Sequence, residues 1–161
     1  MDSIDRRIIA AMASNARISL KELSATVGLA SPSVAERLKR LQEQGQIAGF
    51  TVVINPRSLG YAFQAIVRLN PLPGALDAVE KLIVATPEVI ECDRVTGEDC
   101  FIARLCLSSI DALDVILKPF HKRAHTVTSI VKSQPVLRRL PPLNPDETNS
   151  RLPRTHDTSI K

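Results

Sequence analysis

Cationic side chains are concentrated at one point of the sequence, where Arg37, Lys39 and Arg40 fall within four residues. Guanidinium and ammonium groups bind phosphate oxygens, and they also pair with the edges of guanine in the major groove of DNA. Ser31 and Pro32 stand shortly before them and predict the N-cap and the first residue of a helix. The predicted chemistry is therefore the binding of DNA along one helix.

Glu36 lies in the same stretch and has the opposite charge. Phosphate repels a carboxylate, so this residue either accepts a hydrogen bond from the amino group of cytosine or holds Arg37 or Arg40 in place. Helical spacing puts the polar positions on the side away from the apolar ones. The predicted DNA-contacting residues, around a helix-turn-helix motif at residues 20–39, are Ser31, Ser33, Glu36, Arg37, Lys39 and Arg40.

Two further helices are predicted before this one. Their apolar residues recur at helical spacing, at Ile4, Ile8 and Met12 and at Leu20, Leu23 and Val27. Ser19 and Glu22 form a capping box at the start of the second helix, and Gly28 permits the turn that ends it. A charged helix taken alone is most often a solvated face, but a basic third helix behind a tight turn is typical of a helix-turn-helix. We expect residues 1–50 to be a three-helix winged helix-turn-helix DNA-binding domain.

The apolar pattern changes to period two after Gly45, so a strand is predicted at Ile47–Ile54. Asn55 and Pro56 close it, and residues 51–60 are read as a strand and linker between two domains. Beyond the linker, residues 61–135 predict a second domain with the order βαββαβ. Its strands are expected at Tyr61–Leu69, Val89–Thr96, Cys100–Leu107 and Thr126–Ser133.

The predicted fold class is α+β, with the helix-turn-helix followed by a ferredoxin-like βαββαβ domain of the RAM type. Its two helices would cover one face of an antiparallel sheet. The other face, which carries Ile66 and Ile102, is expected to be covered by a second subunit. Pro119 lies inside the second helical pattern and predicts that this helix is kinked or ends early.

Residues 136–161 lose all periodicity and are rich in proline, which predicts a Pro-rich basic tail. Its arginines Arg138, Arg139, Arg151 and Arg154 could touch DNA, although composition favours a solvated extension.

Composition narrows the function classes. The net charge of +4 permits an anionic partner without requiring one. No apolar run approaches the roughly 20 residues of a membrane span, and the acidic N-terminus is unlike a signal peptide, so we expect a cytoplasmic protein with no membrane partner. Three cysteines, none in a C-x-x-C pair, are expected to be reduced.

Enzyme chemistry has little support in the sequence. Cys100 and Cys106 look like sheet residues, and His121 and His125 straddle a helix end without the adjacent glutamate of a zinc-binding motif. There is no P-loop and no dinucleotide-binding glycine motif. We predict that the protein is not an enzyme and uses no metal or cofactor.

The chain resembles the Lrp/AsnC family (leucine-responsive or feast/famine regulators) over about residues 1–135. The resemblance rests on DSIDRRII (2–9), NARISLKELSATVGL (15–29), SVAERLKRLQEQGQIAGF (33–50), TPEVIECDRVTGEDCF (86–101) and TVTSIV (126–131). Two positions depart from the family pattern: Ala30 precedes Ser31 after the turn, and Cys100 stands where many members have an acid three residues after the glycine.

The resemblance implies homodimers joined through the sheets of their second domains, which often assemble further into tetramers or octamers. It also implies an amino acid or related metabolite as effector, bound near the Gly97 turn and the last strand. The implied effector residues are Thr96, Gly97, Glu98, Asp99, Cys100, Thr126, Thr128 and Ser129. A glycine turn can offer backbone N–H groups to a carboxylate, while Glu98 or Asp99 can receive an ammonium.

We therefore predict a sequence-specific DNA-binding transcriptional regulator that recognises a palindromic operator and responds to a small metabolite. The alternative is a non-DNA-binding, metabolite-sensing regulatory module whose helical domain docks a protein partner. A steep salt dependence of DNA binding would separate the two, because each neutralised phosphate releases counterions.

Overall fold

Three helices open the computed structural model, which describes residues 1–143: α1 (Ser3–Ser14), α2 (Leu20–Val27) and α3 (Ser31–Glu43). Asp2 caps α1 in a capping box with Asp5, and Ser19 caps α2 in the predicted box with Glu22. Gly28 ends α2 in the left-handed conformation, with φ of 72°. Local chemistry thus defines the ends of α1 and α2, and the predicted turn is confirmed.

Two compact units make up the chain, the first including Met1–Val52 and the second comprising Val53–Pro135. The core of the first unit joins Ile8 of α1, Leu23 and Val27 of α2, and Val34 and Leu41 of α3. The apolar stripes of the three short helices bury one another here. This packing stabilises them, because helices of this length are marginal when isolated in water.

Two predicted details of the first unit are wrong. The N-cap of α3 is Ala30, and Ser31 is the first helical residue, so its hydroxyl is free to hydrogen-bond with that of Ser24 at 3.0 Å. Leu20 was expected in the buried stripe of α2 but is 40% exposed, since it begins the helix and only later turns carry buried residues.

The strand predicted at Ile47–Ile54 is not formed, because residues 48–55 have no regular secondary structure. A strand is stable only where neighbouring backbone pairs with its N–H and C=O groups, and no described segment does so here. Val52 and Val53 are strongly exposed as a result. A short 3-10 helix, Pro56–Leu59, follows.

The second unit is a four-stranded antiparallel sheet with two helices. Its elements are β1 (Phe63–Pro71), α4 (Leu76–Ala85), β2 (Val89–Arg94), β3 (Phe101–Leu107), α5 (Ala112–Leu117) and β4 (Ala124–Ile130). The strand order is β2-β3-β1-β4, with β1 paired to both β3 and β4. This is the predicted βαββαβ arrangement; the strand boundaries at Val89 and Leu107 agree with the prediction, and the others differ from it by one to three residues.

One face of the sheet carries the core of the second unit. Alternate residues of β1 and β3, including Val67, Leu69 and Leu105, are fully buried against Val79 of α4 and Phe120. The helix α5 ends at Leu117, before Pro119, which confirms the early end that the proline predicts.

The opposite face of the sheet is more open. Ile66 is half-buried and Ile102 is 36% exposed, and Val127 of β4 shares this face because it pairs with Arg68.

Within residues 1–143, no helix is both long enough and apolar enough to cross a bilayer. The tail residues Arg151 and Arg154 lie outside the described residues.

Candidate nucleic-acid interface and effector turn

The outward face of α3 is polar and open. Ser33, Glu36, Lys39, Arg40 and Glu43 are exposed, while Val34 and Leu41 on the other side are fully buried. These polar residues line a shallow surface depression together with Arg37. The helix therefore presents Ser33, Glu36, Lys39 and Arg40 of the predicted set outward, whereas Ser31 and Arg37 are half-buried.

Two carboxylates at the start of α1 bind Arg37: that of the N-cap residue Asp2 and that of Asp5 in the first turn. The Nη1 atom of Arg37 lies 2.6 Å from Asp2 Oδ2 and 2.8 Å from Asp5 Oδ1. Arg40 Nη2 lies 3.2 Å from both oxygens of the same Asp5. Because Asp5 is almost completely buried, these contacts form a clamp between α1 and α3, which we call the α1–α3 clamp (Asp2, Asp5, Arg37 and Arg40).

The clamp keeps its carboxylates ionised. The backbone N–H of Asp5 and the Arg37 guanidinium lower the pKa of Asp2 to about 2. Burial acts to raise the pKa of Asp5, but hydrogen bonds from the Asp2 backbone N–H and from Arg37 outweigh it and leave that pKa below its ordinary value. The same carboxylates raise the pKa of Arg37. Asp2, Asp5 and Arg37 are therefore charged near neutral pH.

The other charged residues of α3 are less constrained. Lys39 Nζ lies 3.6 Å from Glu43 Oε1 in an exposed pair one helical turn apart, a geometry that contributes little stability. Among the described residues, Glu36 has no hydrogen-bond or ion-pair partner. Of the two roles predicted for Glu36, holding Arg37 or Arg40 is therefore wrong, because Asp2 and Asp5 hold them.

Sequence reasoning missed the clamp and a second tie between helices. The three-residue spacing of Asp2 and Asp5 before an apolar stripe is typical of a helix cap, and this signal could have predicted their capping box. Arg7 of α1 donates hydrogen bonds to the carbonyls of Thr26 and Val27, which close the end of α2. No local signal in the sequence pairs Arg7 with residues about twenty positions away.

In the second unit, the turn at Gly97 connects β2 to β3 and lies beside the C-terminal part of β1. Gly97 has φ of 120°, which side chains rarely permit, and the N–H of Val95 donates to the carbonyl of Cys100 at 2.9 Å across the turn. The N–H of Cys100 donates to the carbonyl of Leu69 at 3.0 Å. The turn is thus tied to β1.

Asp99 of this turn is already paired. Its carboxylate lies 3.1 Å from Arg68 Nη1, whereas Glu98 is exposed and has no ion-pair partner among the described residues. An incoming ammonium would have to compete with Arg68 for Asp99. Of the two acids predicted to receive an ammonium, Glu98 is the more available.

The structure brings together only part of the predicted effector set. Thr126 pairs with Leu69 on β1, next to the turn, and Thr128 pairs with Val67. Both threonines are half-buried on the helix-covered face, whereas Ser129 pairs with Ile66 and is exposed on the opposite face. Thr126 therefore adjoins the Gly97 turn, and Ser129 is separated from it by the sheet.

The cysteines form no second site in the described chain. Cys92, Cys100 and Cys106 are free thiols, and burial raises the pKa of Cys92 and of Cys106. Thiols with raised pKa values are poor nucleophiles near neutral pH. Within residues 1–143, no three potential metal ligands cluster together.

Two family models match the sequence, one in its N-terminal part and one in its C-terminal part. A model described as an AsnC-type helix-turn-helix domain matches residues 1–42, and one described as the Lrp/AsnC ligand binding domain matches residues 64–141. The HTH-type transcriptional regulator FL11 of Pyrococcus furiosus is 32% identical over 117 residues, which are 73% of this chain and 78% of the relative. The leucine-responsive regulatory protein of Salmonella typhimurium is 32% identical over 120 residues, 73% of each chain.

Solved structures agree over most of the chain. LrpC of Bacillus subtilis superposes with a TM-score of 0.80 at 26% identity and covers 86% of this chain and 99% of its own. A feast or famine regulatory protein from Mycobacterium tuberculosis, complexed with L-methionine, gives a TM-score of 0.80 at 28% identity and covers 86% of this chain and 97% of its own.

Proposed function

Because this chain belongs to the Lrp/AsnC family of transcriptional regulators, we propose that it binds a palindromic DNA operator through α3. A small metabolite bound by the second unit would modulate this binding. The observation that carries the proposal is the polar outward face of α3, which lies opposite the buried Val34 and Leu41.

The DNA contacts divide by position on α3. The start of the helix has backbone N–H groups without helical partners, and Ser33 adds a hydroxyl beside them, so this end suits phosphate. Lys39 and Arg40 lie further along and are exposed enough to reach a phosphate or a guanine edge. Arg37 is held by the clamp and positions α3 on α1.

One copy of α3 would read only half of an operator. A two-fold dimer would place two copies on successive major grooves, about 34 Å apart or a multiple of that distance. The open face of the sheet, with Ile66, Ile102 and Val127, is the surface proposed to join two subunits. Further assembly into tetramers or octamers is proposed from the family alone. The domain limits at residues 1–50, 51–60, 61–135 and 136–161 are proposed from the sequence pattern.

The proposed effector is an amino acid or a related metabolite. The relative from Mycobacterium tuberculosis is a complex with L-methionine, which makes this compound the first probe. In this chain, the turn at Gly97 offers backbone N–H groups for a carboxylate, Glu98 is a free acceptor for an ammonium, and Thr126 adjoins the turn. Cys100 replaces the usual acid, so Glu98 would supply the negative charge.

The DNA proposal is tested by selecting bound sequences from a random DNA library with the full chain and then measuring affinity for the selected operator at several salt concentrations. A palindromic consensus is expected, with an affinity that falls steeply with salt. Lys39→Ala should reduce both affinity and the salt slope without lowering stability, since Lys39 lies outside the clamp. A chain that enriches no sequence would contradict the proposal.

The effector proposal is tested by thermal unfolding of the full chain with L-methionine, L-leucine and the other amino acids. One or a few should raise the unfolding temperature in proportion to the logarithm of their concentration, because they bind only the folded state. If no amino acid shifts the transition, amino-acid sensing by this chain is wrong.

The alternative function, docking of a protein partner by the helical unit, has one supporting observation: the outward face of α3 carries two acids beside its three cations, which is a balanced charge pattern. It predicts weak DNA binding with no sequence preference. The library selection described above separates the two proposals.

A further inference from the structure

From the free carboxylate at the centre of the exposed face of α3, we propose that Glu36 is a specificity-determining residue that reads the amino group of cytosine in each operator half-site. This inference rests on the proposed binding of DNA by α3. It adds which base is read at one position and which residue reads it.

The first argument is the position of Glu36 on the helix. Successive residues of an α-helix are rotated by about 100°, so Glu36 lies roughly 160° from Val34 and roughly 140° from Leu41. Both of those residues have no exposed surface. Glu36 is therefore near the centre of the outward face, the part of a recognition helix that enters the groove most deeply.

The second argument is its place along the helix. Glu36 is the sixth of the thirteen residues of α3. Residues in the N-terminal half of a recognition helix contact base edges, whereas those at the margins contact the sugar–phosphate backbone. Glu43 shares the outward face but is the last residue of α3, outside that half.

The third argument is the absence of any other partner. Residues 1–52 include five acidic residues, and four of them are occupied: Asp2 and Asp5 in the clamp, Glu22 with Ser19, and Glu43 with Lys39. Among the residues that the structure describes, only Glu36 of these five has no hydrogen bond or ion pair. A carboxylate that faces DNA without a cation paired to it would be repelled by phosphate, so it needs a donor from the bases.

Base chemistry then selects cytosine. A carboxylate only accepts hydrogen bonds. In the major groove guanine presents two acceptors, thymine an acceptor and a methyl group, and adenine a donor beside an acceptor. Cytosine alone presents a donor with no acceptor on its own edge, so it satisfies Glu36 without repulsion.

The clamp fixes the part of the α3 backbone from which Glu36 would contact a cytosine. Arg37 is adjacent to Glu36, and both Arg37 and Arg40 are held on the buried Asp5. The backbone of α3 on either side of Glu36 is therefore fixed relative to α1. A side chain on a fixed backbone loses less freedom when it makes one directed hydrogen bond.

The test is a selection from a random DNA library with the full chain, with Glu36→Gln and Glu36→Ala, and with Glu43→Gln as a control. The unaltered chain and Glu43→Gln should both select cytosine at the same position of each half-site. Glu36→Ala should lose the preference at that position alone, with discrimination against the other bases falling by roughly 5- to 150-fold. Glu36→Gln should shift the preference toward adenine, which suits an amide.

The outcomes separate this inference from the proposed function. If the unaltered chain selects a consensus and both Glu36 variants select the same one, the cytosine reading is wrong while DNA binding stands. If the unaltered chain selects none, the proposed function fails and this inference fails with it. Both substitutions change an exposed side chain that has no partner among the described residues, so neither should affect folding. Circular dichroism of each variant checks this.

Discussion

The Arg37 guanidinium of α3 lies 2.8 Å from the carboxylate of Asp5 on α1, so one of the cations on the basic helix fastens that helix to its neighbour. Asp5 is almost completely buried, and Arg40 approaches it from the same helix. This contact separates two roles that the sequence alone merges. Arg37 positions α3, Arg40 contacts the same Asp5 with a side chain that stays 47% exposed, and Lys39 lies outside the clamp.

Replacing Asp5 by asparagine should destabilise the first unit. The change leaves Arg37 without its buried counter-charge, and a lost hydrogen bond to a charged group costs about 1.5–3 kcal/mol. Urea unfolding followed by circular dichroism measures the difference. Glu43→Gln is the control: its pair with Lys39 is exposed, so its stability should stay within about 0.5 kcal/mol of the unaltered chain. Equal effects of the two changes would contradict the clamp.

Acid should weaken the same clamp. The pKa of Asp2 is lowered from 3.8 to about 2 in the folded chain, and that of Asp5 is also lowered. A carboxyl with a lower pKa when folded stabilises the protein above its unfolded pKa, and this contribution is lost as the pH falls through the folded pKa. For Asp2 the loss should therefore fall between about pH 4 and pH 2.

The check on this pH dependence is unfolding of the full chain at several pH values from 6 to 2, compared with Asp2→Asn. The variant has no carboxyl at this position, so its stability should change less over the acid range. An identical profile for both proteins would show that Asp2 does not contribute.

Gly28 should resist replacement by alanine for a reason of backbone conformation alone. Its φ is 72°, in the left-handed region, and a Cβ added there would meet nothing within 4 Å. The expected cost is about 1–2 kcal/mol, from the strain of the backbone. Gly49→Ala is the matched control, because its added Cβ also meets nothing and its φ is outside the left-handed region. Thermal unfolding of both variants should show a loss for Gly28→Ala only.

Glu98 and Asp99 should differ in their effect on the effector. Glu98→Ala removes the unpaired acid of the Gly97 turn and should abolish most of the thermal shift produced by a bound amino acid. Asp99→Ala breaks the exposed pair with Arg68, so it should change stability by less than about 1 kcal/mol and reduce the shift less. A shift that survives Glu98→Ala but not Asp99→Ala would reverse this assignment.

Elements set by neighbouring residues were predictable from the sequence. The capping box of Ser19 and Glu22, the turn at Gly28 and the early end of α5 before Pro119 all depend on residues within one helical turn. The order βαββαβ also followed from the spacing of apolar residues, since each element buries its own stripe. Interactions between residues close in sequence therefore account for most of the fold that the sequence predicts.

Features that depend on distant partners were not predictable in the same way. Asp5 and Arg37 are 32 residues apart, and nothing near either residue indicates the other. The strand expected at Ile47–Ile54 has the right alternation, but alternation does not supply the second strand that its backbone requires. The effector set was similarly limited: Thr126 and Ser129 are close in sequence, yet the pleat of β4 directs them to opposite faces.

The α1–α3 clamp also affects how the protein would search a genome. Helix α3 contributes three cations and two carboxylates, and the clamp adds Asp2 and Asp5, so four negative charges lie beside three positive ones. These carboxylates offset part of the attraction of α3 to arbitrary phosphates, on which binding to arbitrary DNA mainly depends. One copy would leave unrelated sequences quickly. Long residence would require two copies of α3 bound to matched half-sites at once. The protein would therefore stay longest on those parts of the chromosome that carry both half-sites.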